Sequence, residues 1–113
     1  MNIINLTPHD INVGDKTFKS SGVARLQQKT IEIAVVDGIS ITREVFGEPE
    51  NLPEPQIDTM FIVSGLMACA LKHRADLLCP GKAIRDNNGR IIGCESLAPQ
   101  STKVLNMEEF SIV

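Results

Sequence analysis

The stretch from Asp58 to Leu97 constrains the fold of this 113-residue chain more than any other, because several structural signals follow one another there without a break. Residues 58–63 (DTMFIV) form a short apolar run, which predicts a strand buried on both faces. Ser64 is a favourable N-cap, and the apolar spacing after it predicts a helix over residues 65–73. This segment is therefore expected to form the core of the fold.

Two hairpins are predicted around this core. Residues 82–86 and 90–97 flank Asn87-Asn88-Gly89, and Asn-Gly favours a tight type I′ turn. Residues 31–36 and 39–45 flank Asp37-Gly38, which favours the same turn. The remaining strands are expected at residues 2–6, 11–13, 17–20 and 23–26. The order of elements predicts an α+β fold, with a mainly antiparallel sheet, hairpins and one central short helix.

The hairpin over residues 31–45 contains one inconsistency in its alternation of apolar and polar side chains. Ile31, Ile33 and Val35 are expected on one face, and the return strand places Arg43 in a row of β-branched residues. A local misfit of this kind is typical of a functional position, although a frayed strand end would equally leave Arg43 in water. Residues 47–56 (GEPENLPEPQ) contain three prolines and are expected to form an irregular loop, either a lid or a solvated connector.

Length predicts a single domain over residues 1–97, followed by a tail at 98–113 that docks on the domain or on a partner subunit. The net charge of −3 argues against a protein that binds DNA or RNA polymers, which needs a dominant basic face. No apolar run reaches the length of a membrane span. The three cysteines lack metal or redox spacing, so we expect reduced thiols in a cytosol, with no metal and no cofactor.

Anion binding is the chemistry that the charged residues favour. Arg25, Arg43, Arg85 and Arg90 lie on or beside predicted strands, and the planar guanidinium group suits bidentate contacts with phosphate. Residues 82–90 contain three cations and one acid, so this hairpin is basic within an acidic chain. A small anionic ligand is therefore a stronger hypothesis than a nucleic-acid polymer.

Two further hypotheses remain open. His9 and Asp10, close to Asn5 and Thr7, suggest a small hydrolase or transferase, although the chain has no phosphate-binding loop and no paired histidine motif. A structural protein or one that binds a host factor would instead use the Pro-rich loop and the apolar tail.

Four segments carry a resemblance to a known family: NLTPHDINV at the N-terminus, LPEP at 52–55, MFIVSGLMACAL at 60–71 and IRDNNGRIIGCESL at 84–97. Together they resemble a set of small phage and prophage proteins, identified here with the phage anti-Thoeris sponge proteins of the first-described type. The resemblance implies an α+β protein in the host bacterial cytosol that sequesters cyclic ADP-ribose isomers, made by TIR-domain defence enzymes, without cleaving them. It also implies a homodimer or a hexamer built as a trimer of dimers, with a second site for cyclic oligonucleotides.

The same resemblance implies an aromatic residue for stacking, with arginines and an asparagine around the ligand. Phe61 and Arg85 match two of these roles, whereas the segment near Cys69 is apolar where a polar residue would be expected. The expected partner is a small anionic nucleotide, with no nucleic-acid polymer and no membrane. The candidate ligand-binding residues are Arg25, Arg43, Phe61, Arg85, Asp86, Asn88 and Arg90.

Overall fold

A computed structural model describes residues 2–101 of the chain. Most of the described residues lie in strands, and one short helix follows the sixth strand. The strands are β1 (Asn2–Asn5), β2 (Ile11–Val13), β3 (Lys16–Phe18), β4 (Arg25–Val36), β5 (Ile39–Glu50), β6 (Thr59–Ile62), β7 (Leu77–Pro80), β8 (Ala83–Arg85), β9 (Ile91–Cys94) and β10 (Leu97–Pro99), and the helix is α1 (Gly65–Ala70). The predicted α+β class, with hairpins and one short helix, is confirmed.

The first sheet has the strand order β1-β6-β7-β10, and β6 at its centre is buried along its whole length. The prediction that this apolar run is buried on both faces is therefore confirmed. β6 pairs in parallel with both β1 and β7, and only β7–β10 is antiparallel. β7 runs parallel to β6 because α1 lies in the connection between them, and a crossover of this length returns the chain in the same direction. The hairpins of the two other sheets are antiparallel, as predicted.

Helix α1 begins as predicted and ends earlier. The Ser64 hydroxyl accepts a hydrogen bond from the Met67 N–H at 3.2 Å, which is the expected N-cap contact. The helix stops at Ala70 rather than at residue 73, because Leu71 leaves helical geometry at φ −116° and ψ 46°. Arg74, just beyond, forms a bidentate ion pair with the buried carboxylate of Asp76 at the start of the return to β7. The buried side chains of Met67 and Ala68 pack the helix against the hydrophobic core.

The second sheet has the order β3-β2-β9-β8 and consists of two hairpins joined side by side. β2 and β9 meet in parallel at Val13 and Cys94. Gly93 permits this approach, since a Cβ at that position would lie 2.8 Å from the Asn12 carbonyl oxygen. The single strand predicted over residues 90–97 is instead two strands, β9 and β10, which belong to different sheets. The domain boundary expected after residue 97 falls within β10, and residues 102–113 of the expected tail lie outside the described residues.

The third sheet is a two-stranded ribbon, β4–β5, in which each strand has twelve residues and, within residues 2–101, pairs only with the other. Asp37 at φ 53° and Gly38 at φ 78° form its turn, as the sequence predicts. The ribbon is longer than expected and includes Pro49, so the prediction of an irregular loop is wrong for residues 47–50. Proline is tolerated there because every strand of a two-stranded ribbon has an outer edge that needs no partner.

A bulge in β4 changes which side chains share a face. The register shifts between Glu32 and Ala34, so Ile33 is an extra residue without its own partner in β5. Ala34 then lies opposite Ile41, on the same face as Ile31. The expectation that Ile31, Ile33 and Val35 share one face is therefore wrong, since an inserted residue reverses the alternation beyond it.

The buried side chain of Asn5 joins the first sheet to the second. Asn5 is 1% exposed at the end of β1, and its amide nitrogen donates to the carbonyl oxygens of His9 and Phe18, each at 2.8 Å. Its side-chain oxygen accepts from the Thr7 N–H at 2.9 Å and from the Thr7 hydroxyl at 2.6 Å. Every hydrogen-bonding group of this amide is used, and the chain from β1 to β3 is folded around it.

Replacing Asn5 with alanine is expected to lower the free energy of unfolding by about 3 kcal/mol, because several buried polar groups would lose their partner at once. The matched control is Asn2→Ala, at an exposed position of the same strand, with an expected change below about 0.5 kcal/mol. Urea unfolding of both variants measures the difference. An equal effect of the two substitutions would contradict the role given to Asn5.

Candidate functional site

A cavity of about 770 Å³ lies beside the junction of the first two sheets. His9 and Asp10, in the turn between β1 and β2, line one end of the cavity. β2 and β9 supply most of its walls. Its lining is formed by His9, Asp10, Ile11, Asn12, Pro80, Gly81, Ala83, Ile91, Ile92, Gly93 and Cys94. Small-molecule sites in proteins usually occupy about 300–1,000 Å³, so the cavity has the size of a ligand site.

The walls are mostly apolar, and the polar groups come from one short segment of chain. Asn12 is held in place, because its amide nitrogen donates to the Ile92 carbonyl at 3.1 Å and its oxygen accepts from the Thr17 hydroxyl at 2.7 Å. Asp10 accepts a hydrogen bond from the Ser20 N–H at 2.9 Å through one carboxylate oxygen. A rigid polar end and apolar walls suit a ligand that has both a flat apolar part and polar groups.

Residues 82–90 form a basic hairpin that continues from the cavity wall. Arg85 lies opposite Ile91 in the β8–β9 pair, and Ile91 lines the cavity. Arg90 immediately precedes Ile91 and is exposed. The Arg85 guanidinium donates to the Gly89 carbonyl at 2.8 Å, which leaves most of its N–H groups available. Within residues 2–101, neither Lys82 nor Arg90 forms a side-chain hydrogen bond or ion pair.

Asp86 and Asn88 differ in what they do within this hairpin. One Asp86 carboxylate oxygen accepts from the backbone N–H groups of Asn88 at 2.8 Å and Arg90 at 3.0 Å. Asp86 therefore shapes the turn that presents the two arginines. The Asn88 side chain is exposed at the tip. The assignment of Arg85, Asp86, Asn88 and Arg90 to ligand binding stays a prediction, and the structure places all four on one hairpin.

The three other candidate residues lie elsewhere. Phe61 is 0% exposed in the centre of the core, which contradicts the expectation that it stacks on a ligand. The prediction that Phe61 lies in an apolar strand is confirmed. Because that strand is buried, the ring of Phe61 does not reach a surface where a ligand could stack on it. Arg25 lines a second, smaller cavity of about 390 Å³ at the base of the ribbon. Arg43 lies midway along the ribbon, opposite Ile31.

The grouping of His9 with Asn5, Thr7 and Asp10 has a structural explanation. Asn5 and Thr7 both donate to the His9 backbone carbonyl, and Asp10 accepts from Ser20. Among the described residues, no hydrogen bond joins the His9 imidazole to the Asp10 carboxylate. The geometry therefore accounts for the cluster as a loop-closing network, and it does not favour an acid–base pair.

Sequence reasoning missed the cavity walls. Ile11, Ala83, Ile91 and Ile92 come from segments about 80 residues apart, which only the parallel β2–β9 pairing brings together. The one local signal was the run Arg90-Ile91-Ile92, where two exposed isoleucines follow an exposed cation. Phe18, Phe46 and Phe61, the phenylalanines in the described range, do not line the cavity.

Residues 2–101 contain no group of three or more His, Cys, Asp or Glu side chains placed to hold a metal ion. The helix in this part of the chain is too short to cross a membrane, and no other helix there qualifies.

The chain was compared with protein-family models, with curated proteins and with solved structures, and none of the three comparisons found a match. The case for a function therefore depends on the residues and on their geometry.

Proposed function

We propose that this protein is a non-catalytic binding protein that captures a small anionic ligand of the nucleotide class. The observation that carries the proposal is the cavity of about 770 Å³, which has mostly apolar walls and is lined on one side by Ala83 of the basic hairpin. Aliphatic walls formed by Ile11, Ile91 and Ile92 would hold a base or a ribose ring. Lys82, Arg85 and Arg90 would hold the phosphate groups.

Binding is favoured over turnover because Asp10 and Cys94, two potentially reactive side chains at the cavity, already form hydrogen bonds within the protein. Asp10 is hydrogen-bonded to Ser20, and Cys94 is buried with its thiol 3.6 Å from the Asn12 carbonyl. A thiol needs a base within hydrogen-bonding reach to act as a nucleophile, and among residues 2–101 the Cys94 thiol is bonded to the Asn12 carbonyl, which is not a base. The polar groups instead support one another, which suits a rigid receptor.

The narrower identity that we propose comes from the resemblance to phage anti-Thoeris sponges. The ligand would then be a cyclic ADP-ribose isomer, with cyclic oligonucleotides as a second class, and the protein would act in the host bacterial cytosol by removing an immune signal. It would do so as a homodimer or a hexamer. The basic hairpin overlaps one of the segments that carry this resemblance, IRDNNGRIIGCESL at residues 84–97. The same hairpin borders the cavity through Ala83.

The proposal predicts that the purified protein depletes cyclic ADP-ribose isomers from solution and releases them unchanged. The protein is incubated with each isomer, and separately with cyclic dinucleotides, and is then retained on a filter. Mass spectrometry measures the ligand in the filtrate and after heat denaturation of the retained protein. Recovery of a modified ligand that is abolished by His9→Ala would establish the hydrolase alternative, and no depletion of any probe would refute capture.

Arg90→Ala is expected to weaken capture at least about tenfold, because a charge-assisted hydrogen bond to phosphate contributes about 1.5–3 kcal/mol. Lys72→Ala is the charge-matched control, since Lys72 is exposed beyond the end of α1 and does not line the cavity. Isothermal titration with the captured isomer measures both affinities. A similar loss for both variants would indicate a general effect of net charge and would count against the basic hairpin as the site.

A further inference from the structure

Asp10 is an acidic side chain on the wall of the cavity, where the proposed ligand is an anion. One of its carboxylate oxygens accepts a hydrogen bond from the Ser20 N–H at 2.9 Å, and this contact holds the group in place. Within residues 2–101 the second oxygen has no hydrogen-bond partner, and the carboxylate forms no ion pair. A carboxylate that is held through one oxygen therefore keeps the other as an acceptor for a ligand.

The pairing of β2 with β9 places Asp10 near the basic hairpin. Val13 lies beside Cys94 in a parallel pair, and three residues earlier on each strand this register brings Asp10 level with Ile91. Ile91 pairs in turn with Arg85. Neighbouring strands lie about 4.8 Å apart, so the backbones of Asp10 and Arg85 are separated by about 10 Å. An acceptor and a cation at this spacing can contact adjacent groups of one ligand.

Electrostatics determines which part of a nucleotide can lie against Asp10. A carboxylate repels a phosphate group, and the repulsion is stronger beside apolar walls because the local dielectric constant is low. A neutral hydroxyl can instead donate to the free oxygen, and a hydrogen bond to an ionised acceptor is stronger than one between neutral groups. The ribose hydroxyls of a nucleotide belong to the ring that carries the phosphate. An acidic side chain binds ribose hydroxyls in this way in dinucleotide-binding folds.

The other lining residues agree with this orientation of the ligand. Asp10 is the only acidic side chain among the lining residues in the described part of the chain. The Asn12 amide donates to the Ile92 carbonyl, and the Cys94 thiol donates to the Asn12 carbonyl, so both groups already bind the protein. The aliphatic side chains of Ile11 and Ile92 then remain as an apolar surface for the base.

We propose that Asp10 determines the specificity of the cavity by accepting a hydrogen bond from a ribose hydroxyl of the bound nucleotide. This inference rests on the proposed function and adds a requirement to it, namely a free hydroxyl on the ribose next to the phosphate that the basic hairpin holds. A deoxyribose would leave the acceptor without a donor, and a phosphate in place of the hydroxyl would bring a second negative charge against it. Both kinds of ligand are expected to bind more weakly.

Asp10→Asn separates this role from loop closure, because asparagine keeps an oxygen for the Ser20 N–H and loses the free charged acceptor. The variant is expected to bind the captured probe, a cyclic ADP-ribose isomer or a cyclic dinucleotide, at least about fivefold more weakly in isothermal titration. Without a hydroxyl contact, the same substitution would strengthen binding or leave it unchanged, since it removes a negative charge near the phosphate. Asp15→Asn, an exposed position outside the cavity, is the control with the same change of charge.

Competition at the wild-type protein tests the hydroxyl itself and does not depend on the stability of a variant. ATP and 2′,3′-dideoxy-ATP share the base and the phosphates and differ only in the ribose hydroxyls. ATP is expected to displace the captured probe at a concentration at least about fivefold lower than dideoxy-ATP. At Asp10→Asn this difference should fall below about twofold, because the lost acceptor and the lost hydroxyl belong to the same hydrogen bond.

The contrary outcomes distinguish the two proposals. A wild-type protein that captures none of the probes would overturn the proposed function, and the role of Asp10 with it. Unchanged or tighter capture by Asp10→Asn would overturn the hydroxyl contact alone, and the proposed function would stand. Equal competition by the two triphosphates, or no competition by either, would also remove the ribose requirement. Equal weakening by Asp10→Asn and Asp15→Asn would indicate an effect of net charge and would count against a contact at Asp10.

Discussion

The side chain of Asn5 is the contact on which the arrangement of the two small sheets depends. It ends a strand of the first sheet and binds carbonyl groups of the turn and of β3 in the second sheet. β2 starts directly after that turn, β9 pairs with β2, and the cavity wall follows from this pairing. A buried amide with every group satisfied allows one geometry, whereas an apolar residue of similar size would permit several. The position of the cavity is therefore set by a residue that precedes its first lining residue, His9, by one turn of the chain.

The same turn shows how one sequence pattern can support two explanations. Asn5, Thr7, His9 and Asp10 are residue types that serve catalysis, and their close spacing suggests a reaction centre. In the structure, the His9 contribution to the network is its backbone carbonyl, and Asp10 serves to hold Ser20. Short polar side chains close loops by bonding to nearby backbone groups, which is a more common use of this pattern than chemistry. Residue type alone cannot distinguish a reaction centre from a loop-closing network, because the two differ in whether side-chain or backbone atoms form the hydrogen bonds.

Features with a local cause could be predicted from sequence, and features with a distant cause could not. The Asp37-Gly38 and Asn88-Gly89 turns, the Ser64 cap and the buried strand β6 each depend on neighbouring residues. The parallel contacts of β6 with β1 and of β2 with β9 join segments far apart in the chain, and no short pattern records them. The Ile33 bulge shifted the ribbon faces through a single inserted residue. For the candidate site, the basic hairpin was predicted, whereas the cavity walls depend on the distant pairing, and the aromatic assigned to the ligand belongs to the core.

Arg43 is the single cation of β5 and lies in a row of apolar side chains. An arginine in a row of β-branched residues weakens the packing of any purely apolar interface, because a desolvated cation without a partner is costly. Ile31 and Ile41 share a face with Arg43, and the glutamates lie on the other face. The bulge at Ile33 brings Ala34 and Val36 to the face of Arg43, so the row stays apolar on both strands up to the turn.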